Sequence, residues 1–369
     1  TSTVVYTASA TDPAGGTVTY SLTGADAGAF TINTSTGAVT FNASPDFETK
    51  SSYSFDVRAS DPSGAFNTQA VVVSVSDVAP TISSSTSASV AEGTSTSTVV
   101  YTASATDPAG GTVTYSLTGA DAGAFTIDTS TGAVTFNVSP DFETKSSYSF
   151  NVKASDPSGA FNTQAVTVSV TDVAPTISSG AAGSVTEGAA AGTTVYTAAA
   201  SDVSGGTVNY SLSGADAGSF SINSSTGVVT INAIPDYEAK RSYSIDVVAS
   251  DGTLTSTQAV TVSVADVAPA ISSGAAGSVA EGAAAGTTVY TAAASDVAGG
   301  TVTYSLSGTD AGFFTINSST GVVTINAIPD YETKSSYSLS VVASDGTLSS
   351  AQAVTVSVIT GTALTFTAG

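Results

Sequence analysis

The chain repeats one unit four times, and the length of that unit constrains its fold more than any other feature. Matching tyrosines open the four copies, and the spacing between them is 95, 95 and then 94 residues (Tyr6, Tyr101, Tyr196 and Tyr290). Solenoid repeats are about 20–50 residues long and share a continuous core, whereas a unit of domain length can bury a core of its own. The sequence therefore predicts four separately folded modules in tandem.

Module two shows the pattern of a β-protein. Polar and apolar residues alternate in residues 112–117 (TVTYSL), 132–136 (GAVTF), 148–154 (YSFNVKA) and 164–170 (QAVTVSV). This alternation, rich in Val, Thr, Tyr and Phe and interrupted by Gly, Pro and Asp clusters, is typical of half-buried strands. Residues 120–125 can form one short helical turn. We expect an all-β chain made of a linear tandem array of four seven-stranded Greek-key β-sandwich domains.

The boundaries are predicted at a recurring Asp-Val-Ala-Pro segment, which begins at Asp77, Asp172 and Asp266. Proline there ends the last strand of one module and stiffens the entry to the next. The predicted modules are residues 1–77 (without its first strand), 78–172, 173–266 and 267–360, and residues 361–369 form a strand-like tail.

The amino-acid composition limits which partners the chain can bind and which chemistry it can perform. The chain has 29 acidic and 7 basic residues, a formal net charge of −22, and no histidine, cysteine, methionine or tryptophan. Such a charge repels nucleic-acid phosphates and anionic lipid, and no apolar run is long enough for membrane insertion. The absence of a histidine base, a thiol and a phosphate-binding glycine loop predicts that the chain is not an enzyme.

Single acidic residues recur in register in every module, near the expected ends of the strands. They are a Glu before Gly, an Asp in an early turn, an Asp-aromatic-Glu pair, an Asp after Ala-Ser, and the linker Asp. Two interpretations are open. These acids either bind hard cations through clustered carboxylates, or only cap turns by accepting hydrogen bonds from backbone N–H groups. The paired acids favour cation binding, because close carboxylates repel one another unless a positive charge neutralises them.

The repeats resemble the cadherin repeat, and in particular the shorter cadherin-like modules of large bacterial surface proteins. The resemblance rests on four segments of module two and on their counterparts in the other modules: TDPAGGTVTYSLTGADAGAFTIDTSTGAVTF, PDFETKSSYSF, KASDPSG and VTDVAPTI. It implies a cadherin/Ig-like sandwich, with Ca²⁺ bound at each junction by residues of two successive modules. The linker is shorter than the usual Asp-x-Asn-Asp-Asn of the family, so we expect fewer ions per junction than the family's full set.

The resemblance implies one ligand set for each junction. The first junction would use Asp46, Glu48, Asp77, Asp107 and Asp156. The second would use Glu92, Asp141, Glu143, Asp172, Asp202 and Asp251. The third would use Glu187, Asp236, Glu238, Asp266, Asp296 and Asp345. In contrast, Asp128 and the Asp of each Gly-x-Asp-Ala-Gly segment are predicted to be ordinary turn residues.

The two ends of the sequence leave a further choice open. Residues 1–77 lack the first strand, and the tail around Leu364 and Phe366 alternates like a strand. Copies can therefore join head to tail, with the tail completing the sandwich of the next copy, or the sequence is a window from a longer array of repeats. The expected partners are neighbouring copies of the chain or further repeats.

Two functions remain from different classes. The first is an extracellular structural or adhesive rod, a stalk or filament subunit on a bacterial cell surface or in a secreted filament. The second is an adhesin module that binds a glycan or a like repeat. Residues 3–77 and 98–172 differ at only six positions, and this near-identity favours the rod. The lysine after each acidic pair (Lys50, Lys145, Lys240 and Lys334) is expected to be an exposed lysine rather than an isopeptide donor.

Overall fold

A computed structural model describes residues 2–108 and 110–361 of the chain. These residues form strands and loops, apart from four 3₁₀ turns of three residues each, so the predicted all-β architecture is confirmed. The chain divides into two compact units, Thr1–Val173 and Ala174–Gly369. Modules one and two lie in the first unit, and modules three and four lie in the second.

The described residues of the first unit, 2–108 and 110–173, contain fifteen strands. Module one has β1 (Val4–Thr7), β2 (Thr19–Thr23), β3 (Phe30–Ile32), β4 (Ala38–Phe41), β5 (Ser52–Ser60) and β6 (Phe66–Ser74), with a 3₁₀ turn at Ala27–Ala29. Module two has β7 (Thr81–Ile82), β8 (Ser87–Ala91), β9 (Val99–Thr102), β10 (Ala105–Thr106), β11 (Thr114–Thr118), β12 (Phe125–Ile127), β13 (Ala133–Phe136), β14 (Ser147–Ser155) and β15 (Phe161–Thr171), with a 3₁₀ turn at Ala122–Ala124.

The second unit repeats the complete set twice. Module three has β16 (Thr176–Ile177), β17 (Ala182–Thr186), β18 (Thr194–Thr197), β19 (Ala200–Ser201), β20 (Asn209–Ser213), β21 (Phe220–Ile222), β22 (Val228–Ile231), β23 (Ser242–Ser250) and β24 (Thr255–Ala265), with a 3₁₀ turn at Ala217–Ser219. Module four has β25 (Ala270–Ile271), β26 (Ala276–Ala280), β27 (Thr288–Thr291), β28 (Ala294–Ser295), β29 (Thr303–Ser307), β30 (Phe314–Ile316), β31 (Val322–Ile325), β32 (Ser336–Ser344) and β33 (Ser349–Ile359), with a 3₁₀ turn at Ala311–Phe313.

Each complete module has two main sheets. In module two these are a four-stranded sheet in the order β11-β14-β15-β8 and a three-stranded sheet in the order β12-β13-β9. A short ladder of β10 and β7 accompanies them, and modules three and four repeat all three sheets. The pair β8–β15 is parallel, whereas the other pairs of module two are antiparallel. The seven strands of the two main sheets confirm the predicted sandwich.

The core of each module lies between its two sheets and follows from the alternation in the sequence. In β15, every second residue is buried: Val166 is 1%, Val168 0% and Val170 3% exposed. The rings of Phe125 and Phe136, from the other sheet, lie 4.3 Å apart. Burying a side chain of this size stabilises a fold by about 1.5–3 kcal/mol, so these alternating residues hold the two sheets together.

One glycine fixes the turn between β12 and β13. Gly132 has φ of +73°, and a Cβ added to it would lie 2.4 Å from the carbonyl oxygen of Ala103. Both the positive φ and the close approach require glycine here. In the same turn, Asp128 Oδ1 accepts hydrogen bonds from the N–H groups of Ser130 (2.9 Å) and Thr131 (2.8 Å). Asp128 is therefore the turn residue that the sequence predicted.

Candidate metal centres at the module junctions

Strand pairing places the acids of each module at its two ends. Ser52 at the start of β5 pairs with Ser74 at the end of β6, so the acids before β5 lie at the same end of module one as the linker. In module two, Thr114 pairs with Ser155, so the loops before β11 and after β14 lie together. The strand pairing of these modules therefore gathers their acids at the module ends.

At the junction of modules one and two, three carboxylates from three segments of the chain converge. Oxygen atoms of Glu48, Asp77 and Asp156 lie within 4.8 Å of one another. Glu48 belongs to the acidic pair of module one, Asp77 to the linker and Asp156 to module two. The structure thus brings together three of the five residues that the resemblance implied for this junction. Asp107, a fourth, is close enough for its charge to raise the pKa of Glu48.

Each of these three carboxylates keeps one buried oxygen without a hydrogen-bond partner. These atoms are Glu48 Oε1, Asp77 Oδ1 and Asp156 Oδ2. The other oxygen of Asp156 accepts hydrogen bonds from the Gly159 N–H (2.8 Å) and the Ser158 hydroxyl (2.8 Å). A buried carboxylate oxygen without a partner is costly, and Ca²⁺ coordinates six to eight such oxygens. The atoms left over by the turn hydrogen bonds therefore fit a hard divalent cation.

The crowding of like charges also affects the protonation of Glu48. A hydrogen bond from its own backbone N–H lowers the pKa of this carboxyl. The pKa is nevertheless raised above its ordinary value, because other contributions outweigh this one. They are the loss of water, the hydrogen bond with Asp46 and the charges of Asp107 and Asp77. A bound cation would reverse this effect, because it favours the charged form of every carboxylate that contacts it.

The junction of modules three and four holds two overlapping groups of acids. Oxygen atoms of Glu187, Asp236 and Glu238 lie within 4.8 Å of one another, and so do those of Glu238, Asp266 and Asp345. Glu238 belongs to both groups and connects them. Both oxygens of Asp266 and the Oδ2 atoms of Asp296 and Asp345 are buried without a hydrogen-bond partner. This junction brings together five of its six implied residues, and the sixth, Asp296, acts on Glu238 through its charge.

Glu187 also organises the linker of this junction. Its side chain is buried, with 2% exposure. One carboxylate oxygen accepts a hydrogen bond from the Val267 N–H (2.6 Å), and the other accepts one from the Tyr237 N–H (3.1 Å). A single carboxylate thus ties the linker to the turn that carries Asp236 and Glu238. Hydrogen bonds of this kind are charge-assisted and about twice as strong as neutral ones.

The pKa values of two acids at this junction are raised. Loss of water is the largest cause for Glu238, and the charges of Glu187, Asp266 and Asp296 add to it. Loss of water is also the largest cause for Asp266, followed by the charges of Asp345 and Glu187. With no cation bound, the charged forms of both residues are therefore less favoured in the folded protein than in the unfolded chain.

In the presence of a chelator, Glu238 and Asp266 are expected to raise the thermal unfolding midpoint as the pH is lowered from neutral through their raised pKa values. The folded state binds protons at Glu238 and Asp266 more tightly than the unfolded state does. This stabilisation is complete below the ordinary pKa values of 4.5 and 3.8, and it is lost as the pH rises through the raised values. Scanning calorimetry at several pH values measures the trend. A midpoint that falls steadily on acidification from pH 7 would contradict it.

The structure also shows the turn-capping interpretation at the acidic pairs. Asp46 Oδ1 accepts a hydrogen bond from the Glu48 N–H (2.9 Å), and its Oδ2 accepts one from the Thr49 hydroxyl (2.7 Å). Asp141 is capped in the same way by Thr144. In module three, the equivalent residue is Ala239, which has no hydroxyl, and Asp236 joins the acidic group there. Capping and cation binding are therefore compatible, because a carboxylate can cap with one oxygen and face the junction with the other.

The implied ligands of the second junction are divided between the two units. In the first unit, Glu92 is buried and accepts hydrogen bonds from the Phe142 (3.1 Å) and Val173 (2.8 Å) N–H groups, as Glu187 does in module three. Glu143 has oxygen atoms within 4.8 Å of those of Glu92 and Asp172. In the second unit, Oδ1 of Asp202 caps Ser204, and Oδ1 of Asp251 caps Thr253.

Two sets of contacts were missed by the sequence analysis. The Ser158 hydroxyl lies within hydrogen-bonding distance of both Asp77 and Asp156 and shares its single hydrogen between these two junction acids. The lysine that follows each acidic pair forms an ion pair within its own module: Lys50–Asp26, Lys145–Asp121, Lys240–Asp216 and Lys334–Asp310. The constant spacing of these Asp and Lys residues along the repeats was the available signal. These lysines remain partly exposed, as predicted, but they are not free.

Comparisons with known proteins agree on one family. The sequence model of the cadherin-domain family matches four segments of the chain: residues 1–76, 86–171, 181–265 and 275–359. Human Protocadherin Fat 1 is 32% identical over 89% of the chain, and mouse Cadherin EGF LAG seven-pass G-type receptor 2 is 33% identical over 89%. The chain spans only 8% and 12% of the lengths of these two relatives.

A solved structure of mouse Cadherin-23 EC22-24 is 27% identical, with a TM-score of 0.31, and the match covers 77% of this chain and 100% of that one. Within residues 2–108 and 110–361, no helix is long and apolar enough to cross a membrane.

Proposed function

Because the chain belongs to the cadherin family, we propose that it is an extracellular adhesive rod whose junctions are stiffened by Ca²⁺. One observation carries the proposal. At two junctions, carboxylates from two modules and their linker converge, and several of them present a buried oxygen that has no hydrogen-bond partner: Glu48, Asp77 and Asp156 at the first junction, and Asp266 and Asp345 at the third. Without a cation, the fold bears the cost of this repulsion and desolvation, and with one it gains a bond between modules.

The residues proposed to hold the cations are those of the acidic groups. At the first junction they are Glu48, Asp77 and Asp156, with Asp46 and Asp107 beside them. At the third junction they are Glu187, Asp236, Glu238, Asp266 and Asp345, with Asp296 nearby. By the repeat, we extend the proposal to the second junction with Glu92, Asp141, Glu143, Asp172, Asp202 and Asp251. A cation supplies positive charge and a preference for oxygen, and the chain supplies ligands from both sides of each boundary.

The wider setting is also a proposal. We place the module boundaries at residues 77, 172 and 266, where the linker acids lie. The chain matches only a small part of the length of each relative, and this supports the proposal that it is a segment of a longer array of repeats. A stalk or filament on a bacterial surface is supported by the Ser- and Thr-rich faces and by the near-identity of modules one and two. The relatives named above are animal proteins, so a bacterial source rests on the sequence pattern alone.

Small-angle X-ray scattering tests the proposed stiffening. Millimolar Ca²⁺ is expected to lengthen the maximum dimension of the chain and to narrow its distance distribution, because shared ligands restrict motion between modules. An equal increase in ionic strength from NaCl is the control, since simple screening also reduces repulsion between carboxylates. Identical distributions in Ca²⁺ and in chelator would contradict the stiffened rod, and an equal response to NaCl would reduce it to charge screening.

A second proposal is head-to-tail assembly of copies or of further repeats. Its support is a set of acids at the far end of module four that matches the acidic groups of the earlier junctions. Glu332 has a raised pKa: the hydrogen bond from its own backbone N–H lowers it, but the hydrogen bond and charge of Glu281 outweigh this. At the opposite end of module one, Asp12 and Asp61 cap their own turns. The tail residues Leu364 and Phe366, expected to act as a donor strand without calcium, lie outside the described residues.

A further inference from the structure

The lysine that follows each acidic pair connects it to a second Asp of the same module. In module three, the Lys240 Nζ forms an ion pair with Asp216, the residue before the 3₁₀ turn at Ala217–Ser219. Asp216 was predicted to be an ordinary turn residue, but its side chain makes no capping hydrogen bond to this turn. Its other oxygen accepts a hydrogen bond from the Ser244 N–H (2.8 Å). The carboxylate therefore connects the lysine to the backbone of β23.

The same lysine closes the turn that carries the acidic pair. The Lys240 N–H donates a hydrogen bond to the Asp236 carbonyl (2.9 Å). Glu238 lies in the middle of this turn of residues 236–240, and it belongs to both acidic groups of the third junction. Lys240 thus joins the proposed cation ligands to Asp216 and, through it, to a core strand.

An aromatic ring supports the lysine side chain. The Lys240 Nζ lies 4.8 Å from the centre of the Tyr243 ring. That ring makes an edge contact with the buried Phe220, at 5.2 Å between ring centres. A cation over a ring is attracted by the negative charge of the ring face. The lysine therefore has a second contact with module three that does not depend on Asp216.

All four modules repeat this arrangement. The ion pairs are Lys50–Asp26, Lys145–Asp121, Lys240–Asp216 and Lys334–Asp310. The second oxygen of each Asp accepts a hydrogen bond from the N–H of a serine: Ser54, Ser149, Ser244 or Ser338. Each lysine lies 4.8–5.1 Å from the centre of a tyrosine ring: Tyr53, Tyr148, Tyr243 or Tyr337. The lysine pair is thus a constant part of the module next to the proposed ligands.

Glu238 needs a restraint, because it is exposed and lies among like charges. Loss of water raises its pKa most, and the charges of Glu187, Asp266 and Asp296 add to the rise. The ion pair behind the turn is open to water, with side chains 43% and 18% exposed, so it adds little to the free energy of unfolding. Its effect is expected on position, since groups that orient a metal ligand typically change metal affinity about 10–100-fold.

We propose that Lys240 is a positioning residue for the third junction. Its ion pair with Asp216 holds the turn of residues 236–240 so that Glu238 stays beside the other acids before a cation binds. By the repeat, Lys50 and Lys145 have this role at the first and second junctions. The inference rests on the proposed function, because it requires a cation site. It goes further, since neither Lys240 nor Asp216 belongs to an acidic group of the junction.

Charge and position predict opposite effects of removing the lysine. Lys240→Met removes a positive charge near the site, so electrostatics alone would tighten cation binding. The positioning role predicts instead that Lys240→Met weakens cation binding about tenfold. Lys240→Arg retains a cation and should bind more tightly than Lys240→Met. Asp216→Asn should weaken binding as Lys240→Met does, and the double variant should be no weaker than either, because both substitutions break one contact.

Terbium luminescence of the full chain measures binding at this junction. Tb³⁺ takes oxygen ligands as Ca²⁺ does, and it emits when a tyrosine close to it is excited. The chain has no tryptophan, and modules one and two have Phe47 and Phe142 where module three has Tyr237. Module four has Tyr331 at this position, so all variants are made with Tyr331→Phe. The signal then reports Tb³⁺ beside Tyr237, and competition with Ca²⁺ gives the calcium affinity.

Arg241→Ser is the matched charge control. It removes a positive charge one residue from Lys240, from a guanidinium that lies 4.9 Å from the centre of the Tyr237 ring. The other modules have serine at this position (Ser51, Ser146 and Ser335). Arg241→Ser should therefore bind Tb³⁺ at least as tightly as the wild-type residue does.

Hydrogen exchange in chelator tests the restraint without a metal. The amides of residues 236–240 are expected to exchange faster in Lys240→Met and Asp216→Asn than in the wild type or in Arg241→Ser. Unchanged exchange would overturn the inference. Terbium binding that Lys240→Met leaves unchanged or tightens would also overturn it, while the proposed function would stand. No Tb³⁺ binding by the wild-type junction would overturn the proposed function and this inference with it.

Discussion

Removing calcium is expected to lower the thermal unfolding midpoint of the chain by roughly ten degrees or more. A cation that binds only the folded state at a concentration about 100-fold above its dissociation constant adds about 2.7 kcal/mol to the free energy of unfolding. For domains of about 100 residues, each kcal/mol shifts the midpoint by several degrees. Scanning calorimetry in millimolar Ca²⁺ and then in chelator measures the difference.

Matched variants assign that shift to the junctions. Asp345→Asn removes one ligand from the third junction and is expected to reduce the shift for the second unit. Asp128→Asn removes the same charge from an exposed turn, and the other modules already have Asn at this position (Asn33, Asn223 and Asn317). A calcium shift that Asp128→Asn reduces as much as Asp345→Asn would point to net charge rather than to a site.

Glu187→Ala is expected to lower the free energy of unfolding in calcium by about 3 kcal/mol. The substitution removes a carboxylate that is 2% exposed and leaves the N–H groups of Tyr237 and Val267 without their acceptor. In chelator the loss should be smaller, because the change also removes a charge that raises the pKa of Glu238 and Asp266. Urea-induced unfolding under both conditions measures the two values.

Module four offers the control for this substitution. Glu281 has the same place in the repeat, but it accepts a hydrogen bond from the Tyr331 N–H at 3.4 Å, and the chain has Gly361 where module three has Val267. Glu281→Ala should therefore cost less than about 1 kcal/mol. Equal losses for the two variants would show that Glu187 does not organise its junction.

The sequence predicted the long strands well and the short ones poorly. Residues 148–154 and 164–170 were predicted from alternation alone, and the structure has strands at Ser147–Ser155 and Phe161–Thr171. A first strand was expected in the segment before Tyr101, but the position of β8 (SASVA) was not predicted, because its residues are mostly small and carry little periodic signal. Its position is determined by parallel pairing with β15, about 80 residues further along the chain, which local sequence does not reveal. The short helical turn near residues 120–125 was predicted correctly.

The repeat period located the acids but did not show which oxygens are free. Whether an oxygen is free depends on hydrogen bonds within the turns. The Thr49 hydroxyl, for example, donates a hydrogen bond to Asp46, whereas the equivalent residue in module three, Ala239, has no hydroxyl. The sequence could not show that Glu187 holds the linker, because its partners are backbone N–H groups 50 and 80 residues away. Local pattern thus indicates the kind of residue at a junction, while the tertiary fold decides its hydrogen bonds.

The most direct test of the calcium-bound junctions is isothermal titration calorimetry of Ca²⁺ into the chelator-treated chain. The wild-type chain is expected to show saturable binding. Asp77→Asn and Asp266→Asn should each remove the binding of one junction, because each changes a carboxylate with a buried, unpartnered oxygen. Asp128→Asn should leave the isotherm unchanged. No saturable binding in the wild-type chain, or equal loss in all three variants, would contradict the account.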